Sequence, residues 1–134
     1  MDKFLKSAAA ALGGLAGFLW GQMDGLMIAL IAFICLDYIT GILCGTVKRK
    51  LSSHASFVGL VKKALILVIV AVAHIVDTQI LGGENSVFRS AACCLYIANE
   101  GLSILENCGK LGVPLPKKLR SVLEQLRDKD DKED

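Results

Sequence analysis

Five polar or ionisable residues stand inside otherwise apolar sequence, and they carry whatever chemistry this chain has to offer. Asp37 interrupts one apolar segment, and Asn99 with Glu100 interrupts another. His74 and Asp77, spaced i, i+3, share one helical face near the end of a third. Asp37 lies 12 residues past Gly25, or about 18 Å along a helix rising 1.5 Å per residue. Glu100 lies 13 residues past Val87, at nearly the same depth. An ionised group facing lipid there costs at least ~2.5–3.5 kcal/mol, so these side chains must face one another, a second subunit or water. Three readings follow. The groups pair structurally, with Arg89 near Asp77 and Lys62 or Lys63 near Asp37 and Glu100; or they line a water-filled pore; or Asp37 or Glu100 carries protons in coupled transport.

The motifs of soluble enzymes are absent. The sequence holds no phosphate-binding glycine loop, no metal triad and no nucleophile elbow. His54, beside Ser52, Ser53 and Ser56, reads as solvated loop chemistry. Cys35, Cys44, Cys93, Cys94 and Cys108 form an odd set without zinc-type spacing, and they read as small apolar residues. No cofactor, small-molecule substrate or nucleic acid is indicated, since a net charge of +2 gives no global basic field.

The elements that position these residues are hydrophobic spans. Of 134 residues 54% are hydrophobic, mean hydropathy is +0.56, and the apolar residues come in blocks near the ~20 residues a bilayer requires. Four spans are expected, over about 4–21, 25–45, 60–81 and 87–105. The first is weakened by Ala and Gly and the fourth by Arg89, Asn99 and Glu100. Lys3 and Lys6 before the first span also suit a signal peptide, but its length and the spans after it favour a retained helix. Trp20 sits where an interfacial aromatic anchor is expected.

Charge then sets orientation. Of 15 Lys and Arg, 14 fall at the amino-terminal tip, in the middle loop with its flank, or in the carboxy-terminal region. Lys48, Arg49, Lys50, Lys62 and Lys63 form the middle group, and only Arg89 belongs to the opposite side. Cytoplasmic loops hold the basic residues, so the pattern implies an all-α membrane protein with four transmembrane helices and both termini cytoplasmic. Residues 1–107 form the transmembrane part. After Gly109, Gly112, Pro114 and Pro116, the spacing of Leu119, Val122, Leu123 and Leu126 predicts a short amphipathic helix within 108–127. That helix lies on the cytoplasmic leaflet or pairs with its copies. Residues 128–134 are all charged, which predicts a disordered tail.

Small residues supply a second pattern. Ala9, Gly13, Gly17 and Gly21 recur every fourth position, and Gly41 and Gly45 repeat that spacing. Such faces let helix backbones approach closely in lipid, either inside one monomer or between subunits.

The run Leu36-Asp37-Tyr38-Ile39-Thr40-Gly41, the stretch Ala73-His74-Ile75-Val76-Asp77 and the segment Asn99-Glu100-Gly101-Leu102-Ser103-Ile104-Leu105-Glu106-Asn107 resemble the toxin-secretion/phage-lysis holin family. Gly109-Lys110-Leu111-Gly112-Val113-Pro114-Leu115-Pro116 continues the likeness, which covers roughly residues 27–126. The resemblance implies a homo-oligomer in the bacterial cytoplasmic membrane, spanning it more than once. It implies lesions that release a phage or prophage endolysin, or a large toxin. Two other classes stand beside it: a small ion channel or proton-coupled exporter, and an antiholin-type regulatory partner. The exporter reading is weakened because Met1–Gln22 carries no acid except Asp2 at its edge.

Overall fold

The computed structural model describes residues 2–133, and side chains for residues 2–128. Within them the chain is all-helical: α1 Lys3–Trp20, α2 Gly25–Val47, α3 Ser53–Ile75 running into a π-helical turn Val76–Ile80, α4 Val87–Lys110 and α5 Lys117–Glu133.

Local chemistry sets these boundaries. Asp24 accepts a hydrogen bond from the Met27 amide at 3.1 Å and Ser52 accepts one from Ala55 at 3.0 Å, capping α2 and α3. Gly21, at φ 77°, ends α1 in the left-handed region. The third helix starts at Ser53, well before the apolar run that begins at Leu60. With Ser52 as its cap and no Pro or Gly before Gly59, the polar segment winds into helix. His54 and Ser56 therefore lie on its first turn and not in a loop. Lys62 and Lys63, already within the expected third span, are inside α3. At the other terminus α5 continues to Glu133, because nothing in the charged tail breaks a helix; Asp134 lies outside the described residues.

α2 packs along α4, and α3 lies against α4 and α1. Met27, Leu30, Val70 and Cys93 form the inner core, joined by Trp20, Ile66 and Tyr96. A second cluster of Leu102, Leu105 and Leu123, with Leu115, fastens α5 to α4. This interior is small, and large apolar side chains such as Ile28, Ile39, Leu43, Leu65, Val68 and Val72 stay exposed on α2 and α3. Gly25–Val47 and Ser53–Ile80 have hydropathies of 2.4 and 2.3, with only 17% and 11% of their apolar windows buried. Helices buried in a soluble core would be covered; these two present their apolar surface outward, as membrane-crossing helices do. Where four spans were expected, two helices meet that test. α1, only 18 residues long, falls short because it includes Lys3 and Lys6 and is diluted by Gly, and α4 because Arg89, Asn99, Glu100 and Glu106 interrupt it.

Candidate functional site: an ion cluster shared by three helices

Asp37, Lys63 and Glu100 meet between α2, α3 and α4. The Lys63 ammonium donates to Asp37 Oδ2 at 2.6 Å and to Glu100 Oε2 at 2.9 Å. Each residue stands ten positions from the same end of the molecule: Asp37 before Val47, Lys63 after Ser53, Glu100 before Lys110. Ten residues of helix rise about 15 Å, half the hydrocarbon thickness of a bilayer. The side chains are mostly buried, at 14% exposure for Lys63 and 9% for each acid. Ionised, two carboxylates against one ammonium leave the cluster one negative charge in excess.

Further groups complete it. The Asn107 amide donates to Asp37 Oδ1 at 3.1 Å, to the Asp37 carbonyl at 3.3 Å and to Thr40 Oγ1 at 2.9 Å. Asp37, Lys63, Ser103 and Asn107 also line an open cavity of about 310 Å³, together with Gly41, Gly45, Ser56 and Lys50. The cluster thus has polar company on the side of the basic 48–52 turn.

A second polar assembly ties the opposite end. Arg89, its side chain 5% exposed, donates from Nε to the Trp20 carbonyl at 2.7 Å and from Nη2 to the Gln22 carbonyl at 2.9 Å. Its Nη1 meets Asp24 Oδ2 at 2.9 Å and its Nη2 meets Asp24 Oδ1 at 3.1 Å, a two-pronged pair. The Arg89 guanidinium holds the Asp24 carboxyl below its usual range, with the Met27 amide adding to the effect. Asp77 is engaged differently: its carboxylate accepts the backbone amides of Phe88 at 3.1 Å and Arg89 at 2.8 Å, capping α4 from the π-helical turn. Trp20 donates its indole N–H to the Leu67 carbonyl at 2.8 Å, joining α1 to α3.

The residues singled out from sequence are thus divided. Asp37 and Glu100 come together, with Lys63 between them. His74 and Asp77 lie at the other end, where a Cβ on Gly21 would meet His74 Cε1 at 2.7 Å. Asn99 is half-buried and makes none of the cluster's bonds. The Arg89 side chain pairs with Asp24 and not with Asp77, because the start of α4 already fills the Asp77 carboxylate with amides. Lys48, Arg49 and Lys50 are exposed around the short turn, and Lys62 is exposed on α3.

The small residues are divided too. A Cβ built on Gly41 would meet Asn107 Nδ2 at 3.7 Å and one on Gly45 would meet Leu51 Cδ1 at 3.4 Å, both inside the monomer. Ala9, Gly13 and Gly17 are exposed, and nothing lies within 4 Å of a Cβ built on either glycine. Asn107, Ser103 and Thr40 were given no site role from sequence, although helical spacing signals them: Ser103 and Asn107 follow Glu100 by three and seven positions, and Thr40 follows Asp37 by three.

Comparison with known proteins bears on this arrangement. A probable holin of Bacillus phage phi105 is 37% identical over 99 residues, covering 74% of this chain and 71% of the phage protein. An uncharacterised 14.9 kDa protein from the nagH 3' region of Clostridium perfringens is 42% identical over 126 residues, covering 94% and 95% of the two chains. An uncharacterised protein of Listeria monocytogenes is 40% identical over 123 residues, covering 92% and 86%. No solved structure matches. Residues 14–128, from the open small-residue face of α1 through the ion cluster to α5, match the family profile, and the chain belongs to the bacteriophage holin family.

Proposed function

We propose that this chain is a holin that oligomerises in the bacterial cytoplasmic membrane and opens lesions for an endolysin or a toxin. In this reading α1 to α4 all cross the membrane, both termini are cytoplasmic, and the basic 48–50 turn lies on the cytoplasmic side. The carrying observation is the bridge from Lys63 to Asp37 and Glu100, which this reading puts at mid-depth. Charge that deep is tolerated only when protein or water surrounds it. Within one copy three helices shield it, so the polar seam is closed in the monomer and a water-lined opening requires several copies. α1 and α4, too polar to be good lipid neighbours alone, are the helices such an assembly would cover. The exposed Gly13–Gly17 face of α1 supports the same reading.

The test is to express the chain in bacteria holding a folded cytoplasmic reporter enzyme, and to follow membrane potential alongside reporter release. Abrupt collapse with release is the expected outcome. Collapse with the reporter retained would replace the large lesion by a small ion channel. Confirmed insertion with neither effect would point to an antiholin-type partner and overturn the proposal.

A further inference from the structure

α5 meets α4 at one tight point. A Cβ on Gly101 would come within 3.0 Å of Leu123 Cδ1 and 3.1 Å of Phe33 Cε2, so Leu123 sits directly on the glycine. Leu102 and Leu105 complete the seat. The rest of the expected apolar stripe of α5 is not used: Leu119, Val122 and Leu126 point outward and are exposed. Beside Leu123 the helix turns in Arg120, Glu124 and Arg127, all half-buried. The Arg120 Nε is buried without a hydrogen-bond partner. α5 thus lays a charged and incompletely satisfied face on α4.

Depth makes this contact conditional. Gly101 stands nine positions before Lys110, about 14 Å into a spanning α4. Lipid will not accept Arg120, Glu124 and Arg127 alongside it there. The seated α5 and a membrane-crossing α4 exclude each other, so insertion must lift α5 and bare Gly101, Leu102 and Leu105. On α1, Gly13 stands ten positions after Lys3, about 15 Å from the same membrane side. Nothing covers it. In one copy the α1 and α4 backbones do not adjoin.

We infer that α5 is a removable cover on α4, and that the seat it leaves receives the Ala9–Gly13–Gly17 face of α1 from a second copy. The inference rests on the four-span, oligomer-forming reading above. Small residues at equal depth on antiparallel helices allow the close backbone approach that holds helices together in lipid. Because each copy offers two different faces, the contact is head-to-tail and adds subunits in series, closing into rings where the rotation permits.

The test uses the full chain, with its five cysteines replaced, in bacterial membranes under oxidation. Two cysteine pairs are introduced separately, G13C with G101C and A9C with L105C; the second leaves Gly101 intact. Either pair should give a crosslinked ladder reaching beyond dimers, whereas G13C or A9C alone should stop at dimers or give none. Adding L123D to the second pair, or the milder L123A, should loosen the seated α5 and so raise the inserted fraction, and with it the ladder, several-fold. If an amine-reactive crosslinker shows oligomers but the double-cysteine chains do no better than the single ones, the α1–α4 contact is refuted. An inserted fraction and a ladder both unchanged or reduced by both Leu123 variants refute the cover. Absence of oligomers with every reagent would instead sink the oligomeric reading itself.

Discussion

The backbone amide of Arg89 donates to the Asp77 carboxylate at 2.8 Å while its guanidinium turns away to Asp24, so one residue links two separate acids. Asp77 serves as a remote cap for α4. Asp77→Ala should destabilise the fold by about 0.5–2 kcal/mol, the usual range for a lost N-cap. Denaturant titration in detergent, followed by fluorescence of Trp20, would measure it. A cost indistinguishable from zero would show that the cap is not used.

The Arg89 side of the link predicts a pH effect. The Asp24 carboxyl is held below its ordinary value of 3.8. A carboxylate with a depressed folded-state pKa contributes stability that is present above the unfolded value and is lost as pH falls through the folded one. Stability from this pair should therefore be intact at neutral pH and decline only below about pH 4. Asp24→Asn should flatten that decline while costing little, since the Asp24 side chain is 43% exposed. Arg89→Lys should cost more than Asp24→Asn, because lysine cannot serve Trp20, Gln22 and Asp24 together. Melting curves of the three chains across pH 3–7 would decide.

Lys63 is the sole cation for two buried acids in its cluster. Lys63→Met should destabilise the chain by about 3–5 kcal/mol, since it strands two carboxylates with each other. Neutralising all three, as Asp37→Asn, Lys63→Met and Glu100→Gln together, should recover most of that loss. Detergent unfolding of the single and triple variants compares them; a triple variant no better than the single would refute the account.

Gly21 closes α1 against the His74 imidazole. Gly21→Ala should cost about 1–3 kcal/mol from its left-handed backbone alone. The 2.7 Å approach to His74 Cε1 adds to that. His74→Ala in the same chain should return the steric part but not the backbone part. Full recovery in the double variant would show that the backbone conformation had cost nothing.

Much of this was legible in the sequence because a membrane helix declares itself by length and apolar content. The ends of α2 and α4 fall close to the expected spans, and equal depth put Asp37 and Glu100 on one level before any contact was known. Pairing across helices could be read only in part. One of Lys62 and Lys63 was expected beside Asp37 and Glu100, but only the geometry selects Lys63, ten positions into α3, and leaves Lys62 exposed. Arg89 and Asp77 looked like partners because both are charged and near one end. The amides at the start of α4 took the carboxylate first. The stripe on α5 was read correctly as a pattern but not as an interface, since hydrophobic spacing does not say that Leu123 alone finds a glycine.

The bridge at Lys63 also fixes how the helices stand relative to one another. One amine reaches acids on two helices, so a slide of α3 by a single turn, about 5.4 Å, would strip it from both at once. The cluster works as a register pin: α2, α3 and α4 travel as one rigid stave. Any rearrangement is thereby left to the two pieces outside that lock, α1 and α5.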